Sequence, residues 1–124
     1  MTYDKDGRPA PTELRLKTAE RALEIDFENG MAFSLPAEFL RVESPSAEVK
    51  GHGPGQRVIV AGKRNVSIKR IEPVGNYAVR LVFDDGHDTG IYSWEFLYEI
   101  GGKQDQMWRA YVNELAVRGL KREP

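Results

Sequence analysis

The fold is decided by residues 75–97, which read GNYAVRLVFDDGHDTGIYSWEFL. Residues 77–83 carry apolar side chains at every second position, the pattern of a half-buried strand: Tyr77, Val79, Leu81 and Phe83. The run Asp84-Asp85-Gly86 predicts a tight turn, after which residues 88–92 return as a second strand. Ser93 can then accept a hydrogen bond from an early backbone N–H and cap a helix. The stretch therefore predicts a hairpin that leads directly into a helix.

The residues before this stretch predict further antiparallel strands. Apolar residues alternate with other residues at Leu14 and Leu16, in 23–27 and again in 31–35, with a hairpin turn at 28–30. Pro36 then favours one or two helical turns over residues 37–42. We expect two more strands in the β-branched runs 57–61 and 66–71. Between them and the short helix, Ser44 to Gln56 reads as a loop, longer than compact domains normally contain.

Two helices are expected to close the chain. The first follows Ser93 and ends at Gly101-Gly102, and Asp105 is predicted to cap the second, which Gly119 ends. The apolar residues of the second helix recur on one side: Met107, Trp108, Tyr111, Val112, Leu115 and Ala116. We expect Trp94 and Trp108 to anchor the core.

The order of these elements predicts an α+β domain, because strands come first, helices come last and no β-α-β alternation occurs. We expect an antiparallel β-sheet of about six to seven short strands, with a short helix after the first hairpins and two C-terminal helices packed on the sheet. The predicted boundaries are a flexible N-terminal arm at 1–11, a single domain at 12–119 and a C-terminal tail at 120–124.

Composition excludes several classes of protein. The 124 residues include 18 basic and 19 acidic ones, a formal charge of -1, so the positive field that unspecific nucleic-acid binding needs is missing. The chain has no cysteine, which excludes disulfides, thiolate zinc sites and cysteine nucleophiles. It shows neither an apolar run long enough for a membrane span nor a signal peptide. We expect a cytoplasmic protein that binds neither membrane nor nucleic acid.

The run from Gly75 to Leu97 resembles the signature of the gamma-butyrobetaine hydroxylase-like N-terminal domain family, a domain of unknown function with stand-alone bacterial members. The hairpin at 23–27, the Leu35-Pro36 turn and the segment 40–42 fit the same pattern, so the resemblance spans about residues 12–102. The signature positions that we single out are Gly75, Tyr77, Asp85, Gly86, His87, Tyr92 and Trp94.

The resemblance implies a metal site that this chain does not keep. In the carnitine-pathway hydroxylases, the domain holds a structural zinc through a cysteine cluster and the histidine of the Asp-Gly-His turn. Here His87 remains, but Ser44, Ser46 and Val49 stand where the cysteines would fall. A serine hydroxyl stays protonated near neutral pH and valine offers no lone pair. We therefore predict vestigial zinc positions, with no metal and no cofactor.

Three roles remain open for His87, namely bracing its turn through hydrogen bonds, which we favour, metal ligation and catalysis. His52 lies in the glycine-rich loop and is expected to be exposed. The acidic run around Asp85 is too short for a calcium loop, and no phosphate-binding loop or nucleophile elbow occurs. The basic residues at 63–70 and near the C-terminus are expected to form solvated faces.

The resemblance also implies a context. Family members occur alone in bacteria and fused to Mrp-type P-loop ATPases that handle iron–sulfur clusters. We expect a non-enzymatic accessory or protein-interaction domain, connected to iron–sulfur or cofactor maintenance, that binds a protein partner; a homodimer is left open. The alternative is a metal-binding regulatory domain that uses His87 with oxygen ligands, and a small enzyme comes third.

Overall fold

Six strands and four helices make up the regular structure of residues 9–51 and 57–124, the parts of the chain that this computed structural model describes. The strands are β1 (Pro11–Lys17), β2 (Ala22–Phe27), β3 (Ala32–Pro36), β4 (Ile68–Val74), β5 (Ala78–Phe83) and β6 (Ile91–Ser93). The helices are α1 (Ala37–Val42), α2 (Ala47–Lys50), α3 (Trp94–Gly102) and α4 (Gln104–Val117). The predicted α+β class is confirmed, with a short helix after the first hairpins and two helices at the C-terminus.

The strands form two antiparallel sheets of three strands each, in the orders β1-β2-β3 and β4-β5-β6. The prediction of a strand at 57–61 is wrong. This segment is held by other groups instead, because the Val58 N–H donates to the Val49 carbonyl (2.7 Å) and the Tyr111 hydroxyl donates to the Val60 carbonyl (2.5 Å). β-Branched residues favour extended backbone here, but no strand lies beside them in the described residues.

The main core lies between the two sheets and the helices. Its buried side chains come from the alternating apolar positions of the strands and from one side of α3, chiefly Leu23, Ile25, Phe27, Leu35, Leu81, Phe83, Leu97 and Ile100. Tyr92 is fully buried among them, and its hydroxyl donates to the Leu40 carbonyl (2.6 Å). Trp94 and Trp108 are only partly buried and pack against the edge of this core. The hydrogen bond from Tyr92 ties β6 to α1.

Helix α4 packs over a second, smaller core cluster. Val42, Tyr111 and Leu115 are buried there, and residues 59–61 pack against them. The predicted cap at Asp105 is wrong: Lys103 occupies the N-cap position, because its N–H bonds back to α3 while its carbonyl accepts the Met107 N–H (2.9 Å). The two helices therefore join through backbone bonds, with no side-chain cap on α4.

Helix α4 ends in a Schellman motif. The Leu120 N–H donates to the Leu115 carbonyl (2.8 Å) and the Gly119 N–H donates to that of Ala116 (3.2 Å). Gly119 has a φ of +68°, a conformation that glycine adopts without steric cost. The motif turns residues 120–124 back onto the domain, where the backbone N–H of Gly62 bonds to Lys121. The predicted tail is therefore packed against the body of the fold.

At the N-terminus, the hydrogen-bonded structure begins before residue 12. β1 starts at Pro11, and Ala10 already exchanges hydrogen bonds with Glu28. The rest of the predicted arm, residues 1–8, lies outside the described residues. In the described parts of the chain, none of the helices combines the length and the apolar character needed to cross a membrane.

Candidate functional site

The candidate site is the corner where the α1–α2 connection meets the turn between β5 and β6. Ser44 follows α1, and its Oγ lies 2.9 Å from Nε2 of His87. Ser46 lies at the start of α2, with its Oγ 2.7 Å from the Oγ1 of Thr89. Val49 is buried on α2. The structure therefore brings two of the three serine and valine positions into hydrogen-bonded contact with the β5–β6 turn, and Ser44 directly with His87.

Local sequence explains why the two serines lie there. The Ser46 hydroxyl accepts the Glu48 N–H (3.2 Å) and so caps α2, a helix that the sequence analysis treated as loop. The Ser46 N–H in turn donates to the Ser44 Oγ (3.2 Å). Opposite them, a Cβ on Gly90 would stand 2.5 Å from the Ser44 Oγ, so only glycine permits this approach of the returning strand. The corner is thus packed between the two serines on one side and the backbone at Gly90 on the other.

Asp85 fixes the turn that presents His87. One carboxylate oxygen accepts the His87 N–H (3.0 Å), and the other is paired with Arg41 (2.8 Å) and Lys63 (2.7 Å). Burial works against ionisation of Asp85, but the hydrogen bonds from Lys63, the His87 N–H and Arg41 together hold its pKa well below its ordinary range. The sequence did not indicate that either cation pairs with Asp85, because Arg41 and Lys63 lie far from the turn in sequence.

The imidazole of His87 is bonded at both nitrogens and is only 5% exposed. Its Nδ1 lies 3.1 Å from a carboxylate oxygen of Glu48, opposite the Nε2 contact with Ser44. Burial is the main influence that lowers the pKa of His87 below its ordinary 6.5, with Arg41 acting in the same direction and Glu48 opposing both. In the neutral ring, Nδ1–H therefore donates to Glu48 and Nε2 accepts from the Ser44 hydroxyl.

Ser44, His87 and Glu48 have the connectivity of a serine–histidine–acid triad, in which a base takes the proton of a nucleophilic hydroxyl. The surroundings do not suit that chemistry. Ser44 is 0% exposed, and its Oγ already accepts the Ser46 N–H and stands against Gly90. A nucleophile must reach a substrate carbonyl at near contact distance, and this oxygen faces only protein. The contacts instead satisfy the hydrogen-bonding groups of a buried corner.

The same corner offers little to a metal ion. Within 9–51 and 57–124, no group of three or more histidine, cysteine or acidic side chains is placed to hold one. His52, the other histidine, lies outside the described residues. The neighbouring acids Asp84 and Asp85 also have different partners: Asp84 accepts the Ser67 N–H (3.0 Å), and Asp85 is paired with Arg41 and Lys63.

The remaining signature positions lie on or beside β5, β6 and the start of α3, with Gly75, Tyr77 and Trp94 at the end of β5 away from the His87 turn. Gly75 and Gly86 lie in the turns before and after β5, and Tyr92 is buried beneath the site on β6. Trp94 starts α3 and donates through its indole Nε1–H to the Asn76 carbonyl (2.8 Å), while Tyr77 is more than half exposed. The signature therefore describes one structural unit, the β5–β6 hairpin together with the helix cap that follows it.

The structure also joins the two basic regions that the sequence analysis kept apart. The Arg64 N–H donates to the Arg122 carbonyl (3.0 Å), and the Arg64 guanidinium pairs with Glu123 (2.6 Å). The residues near 63 and those near 122 therefore form a single surface.

Comparisons with known proteins agree with this architecture. One NMR solution structure of a protein is 53% identical over 100% of this chain and 92% of that chain, with a TM-score of 0.83. A second is 46% identical over 94% and 91%, with a TM-score of 0.82. A crystal structure of a protein of unknown function from Acidithiobacillus ferrooxidans, of the DUF971 family, is 41% identical over 74% and 92%, with a TM-score of 0.63.

A search of the curated proteins found no match for this chain. The model of a protein family, described as gamma-butyrobetaine hydroxylase-like, N-terminal, matches residues 14–98. These residues include the His87 corner, the start of α3 and all six strands, apart from the first three positions of β1. The resemblance proposed from residues 75–97 is confirmed, and the chain belongs to the gamma-butyrobetaine hydroxylase-like N-terminal family.

Proposed function

We propose that this chain is a non-enzymatic accessory domain that acts by binding another protein. The observation that carries the proposal is the state of the His87 corner. Its hydroxyl, imidazole and carboxylate groups are engaged with one another, and Ser44 and His87 are buried. Groups that a catalyst would keep available to substrate are used here to hold α2 on the β5–β6 turn.

We further propose that the partner belongs to iron–sulfur or cofactor maintenance, and that the protein works in the cytoplasm. Support for the pathway comes from the family resemblance, through fusions to Mrp-type ATPases. With no cysteine in the chain, this domain supplies no thiolate to a cluster. Its contribution to such a pathway is therefore contact with a protein that handles the cofactor.

A metal-binding regulatory domain is the second candidate, and one observation favours it. The Glu48 carboxylate beside Nδ1 of His87 is 62% exposed, so an ion could reach this nitrogen and this oxygen from solvent. Such an ion would have to displace the Nδ1 proton and recruit further oxygen ligands.

Two measurements test the proposal against its alternatives. The tagged full-length chain is used to capture partners from its native host, and a captured protein must then bind the purified chain directly and saturably. In parallel, the purified chain is treated with a fluorophosphonate probe, with Ser44→Ala as the matched control. We expect direct binding and no labelling. Labelling of the chain that Ser44→Ala abolishes would instead identify a serine hydrolase.

Metal analysis separates the second candidate. Chelator-free purified protein is compared with His87→Gln for bound transition metals. We expect no stoichiometric metal in either protein. One equivalent in the natural sequence that is lost in His87→Gln would replace the interaction proposal with the regulatory one.

A further inference from the structure

The last five residues, 120–124, form a strap across the domain, which we call the C-terminal strap. Two backbone hydrogen bonds tie it to the segment before β4: Gly62 N–H to the Lys121 carbonyl (2.9 Å) and Arg64 N–H to the Arg122 carbonyl (3.0 Å). The strap is joined to α4 by the left-handed turn at Gly119. In the described part of the chain, its main chain is therefore tied to the domain at residues 62–64 and through the turn at Gly119.

The strongest attachment of the strap is the side chain of Arg122. Its Nε and Nη2 donate to the two carboxylate oxygens of Glu38 at 2.9 and 2.7 Å. The guanidinium carbon also lies 5.1 Å from the centre of the Trp108 ring. A carboxylate that meets both arms of the fork, beside an aromatic face, is a geometry that arginine satisfies and lysine does not.

The acceptor side of this pair belongs to the body of the domain. Glu38 is in the first turn of α1 and is 7% exposed, while Trp108 packs on Phe39 at the edge of the main core. A cleft of about 260 Å³ continues from the pair along Pro36 and Gln104. Glu38 and Trp108 are thus fixed by the core, whereas the Arg122 side chain that contacts them belongs to the strap.

We propose that Glu38 and Trp108 form a guanidinium-binding site, which the chain's own Arg122 fills and which an arginine of a partner protein fills when the strap is displaced. Glu38 has this low exposure while Arg122 covers it; when the strap leaves, its two carboxylate oxygens lose their donors beside the cleft, and a guanidinium that enters can form the same pair of hydrogen bonds. The strap acts as a tethered ligand, which a partner in sufficient concentration can replace. The partner's identity as a protein rests on the proposed function, but guanidinium binding does not.

The test uses the full-length chain with Arg122→Ala and N-ethylguanidinium, which reproduces the end of an arginine side chain. Binding is followed by NMR through the indole N–H of Trp108, with that of Trp94 as an internal reference. We expect a saturable shift of the Trp108 signal in Arg122→Ala. At the same concentrations, the natural sequence and Glu38→Gln/Arg122→Ala should show none. Ethylammonium, which has the charge without the fork, should bind at least about tenfold more weakly.

Arg118→Ala is the matched control variant. Arg118 is also near the end of the chain and is paired with an acid, Glu114 (2.6 Å), but this pair is exposed and lies along one helix. It should behave as the natural sequence. Equal shifts in Arg122→Ala and in Glu38→Gln/Arg122→Ala, or equal binding of ethylammonium, would overturn the proposed site.

A second variant applies if Arg122→Ala does not fold. Arg122→Lys keeps the charge and the apolar stem, and hydrogen exchange of residues 62–64 and 120–124 is compared with that of the natural sequence. The site requires faster exchange in Arg122→Lys, and unchanged exchange contradicts it. A partner that is found should bind Arg122→Ala more tightly than the natural sequence. If no partner exists, the interaction function fails while the guanidinium result stands.

Discussion

Replacing His87 by alanine tests the structural role of the corner directly. The change removes the hydrogen bonds to Ser44 and Glu48, and it leaves the Ser44 hydroxyl, which is 0% exposed, without its acceptor. A buried donor without an acceptor costs about 1–3 kcal/mol. The space left by the buried ring adds about 1–2 kcal/mol. We therefore expect His87→Ala to lower the free energy of unfolding by about 2–5 kcal/mol. A single hydrogen bond that only braced the turn would account for roughly 1 kcal/mol.

The assay is urea unfolding followed by circular dichroism at pH 7.5. Ser44→Ala/His87→Ala removes the orphaned hydroxyl together with the ring, so its cost should fall short of the sum of the single changes by about 1 kcal/mol or more. His87→Gln keeps one donor and one acceptor and should lose little. Glu48→Gln is the surface control and should stay within about 0.5 kcal/mol, since Glu48 is 62% exposed.

Two results would refute this reasoning. The first is a loss of less than about 0.5 kcal/mol in His87→Ala, within the range of ordinary surface changes. The second is strict additivity of the two single changes, because the hydrogen bond between Ser44 and His87 requires coupling. A normal melt of His87→Gln together with lost partner binding would show instead that the imidazole itself has a functional role.

Further predictions concern pH, metal content and the two ends of the fold. Because the pKa of His87 is lowered in the folded protein, the unfolded chain binds more protons than the folded chain as pH falls below 6.5. The free energy of unfolding should therefore drop in this range more steeply than that of His87→Gln. Parallel pH profiles of the two proteins would contradict this. Elemental analysis should find no stoichiometric zinc, since Ser44, Ser46 and Val49 stand where the family resemblance implies thiolates. Gly90→Ala should destabilise the domain by about 1–3 kcal/mol in urea, through the clash with Ser44, and an unchanged midpoint would disprove the close approach. Deleting residues 104–124 should abolish the cooperative melt by exposing Val42 and the main core, and a melt within a few degrees of full length would make α4 dispensable.

Periodicity was sufficient for the parts of the fold whose pattern comes from one buried face. The strands at 23–27 and 78–83 and the helix after Ser93 were predicted because local alternation and capping determine them. The segment 57–61 is also rich in β-branched residues, but its backbone bonds to the Tyr111 hydroxyl of α4 and to the Val49 carbonyl of α2. No local sequence pattern indicates these partners. β-Propensity predicts that a segment has an extended backbone, but it does not predict which groups form hydrogen bonds with that backbone.

The site divides in the same way. His87 and the serine positions could be singled out through the family resemblance, since they lie within or beside its motif. Arg41, Lys63 and Glu48 could not, because a single charged residue carries no spacing signal and its role depends on which turn folds against it. The convergence of Arg64 and Arg122 is likewise a product of the turn at Gly119, which brings the chain end back beside β4.

The hydrogen bond between Ser44 and His87 changes what this domain requires from its surroundings. Where the family resemblance implies a metal that links the α1–α2 connection to the hairpin, here a hydrogen bond makes the same connection. We therefore expect this corner to assemble without zinc and without a reducing environment to protect thiolates. Oxidants and chelators that would dismantle a thiolate clip find no atom to attack here. We therefore expect a chelator or an oxidant, at concentrations that would break a thiolate clip, to leave the contact between Ser44 and His87 in place.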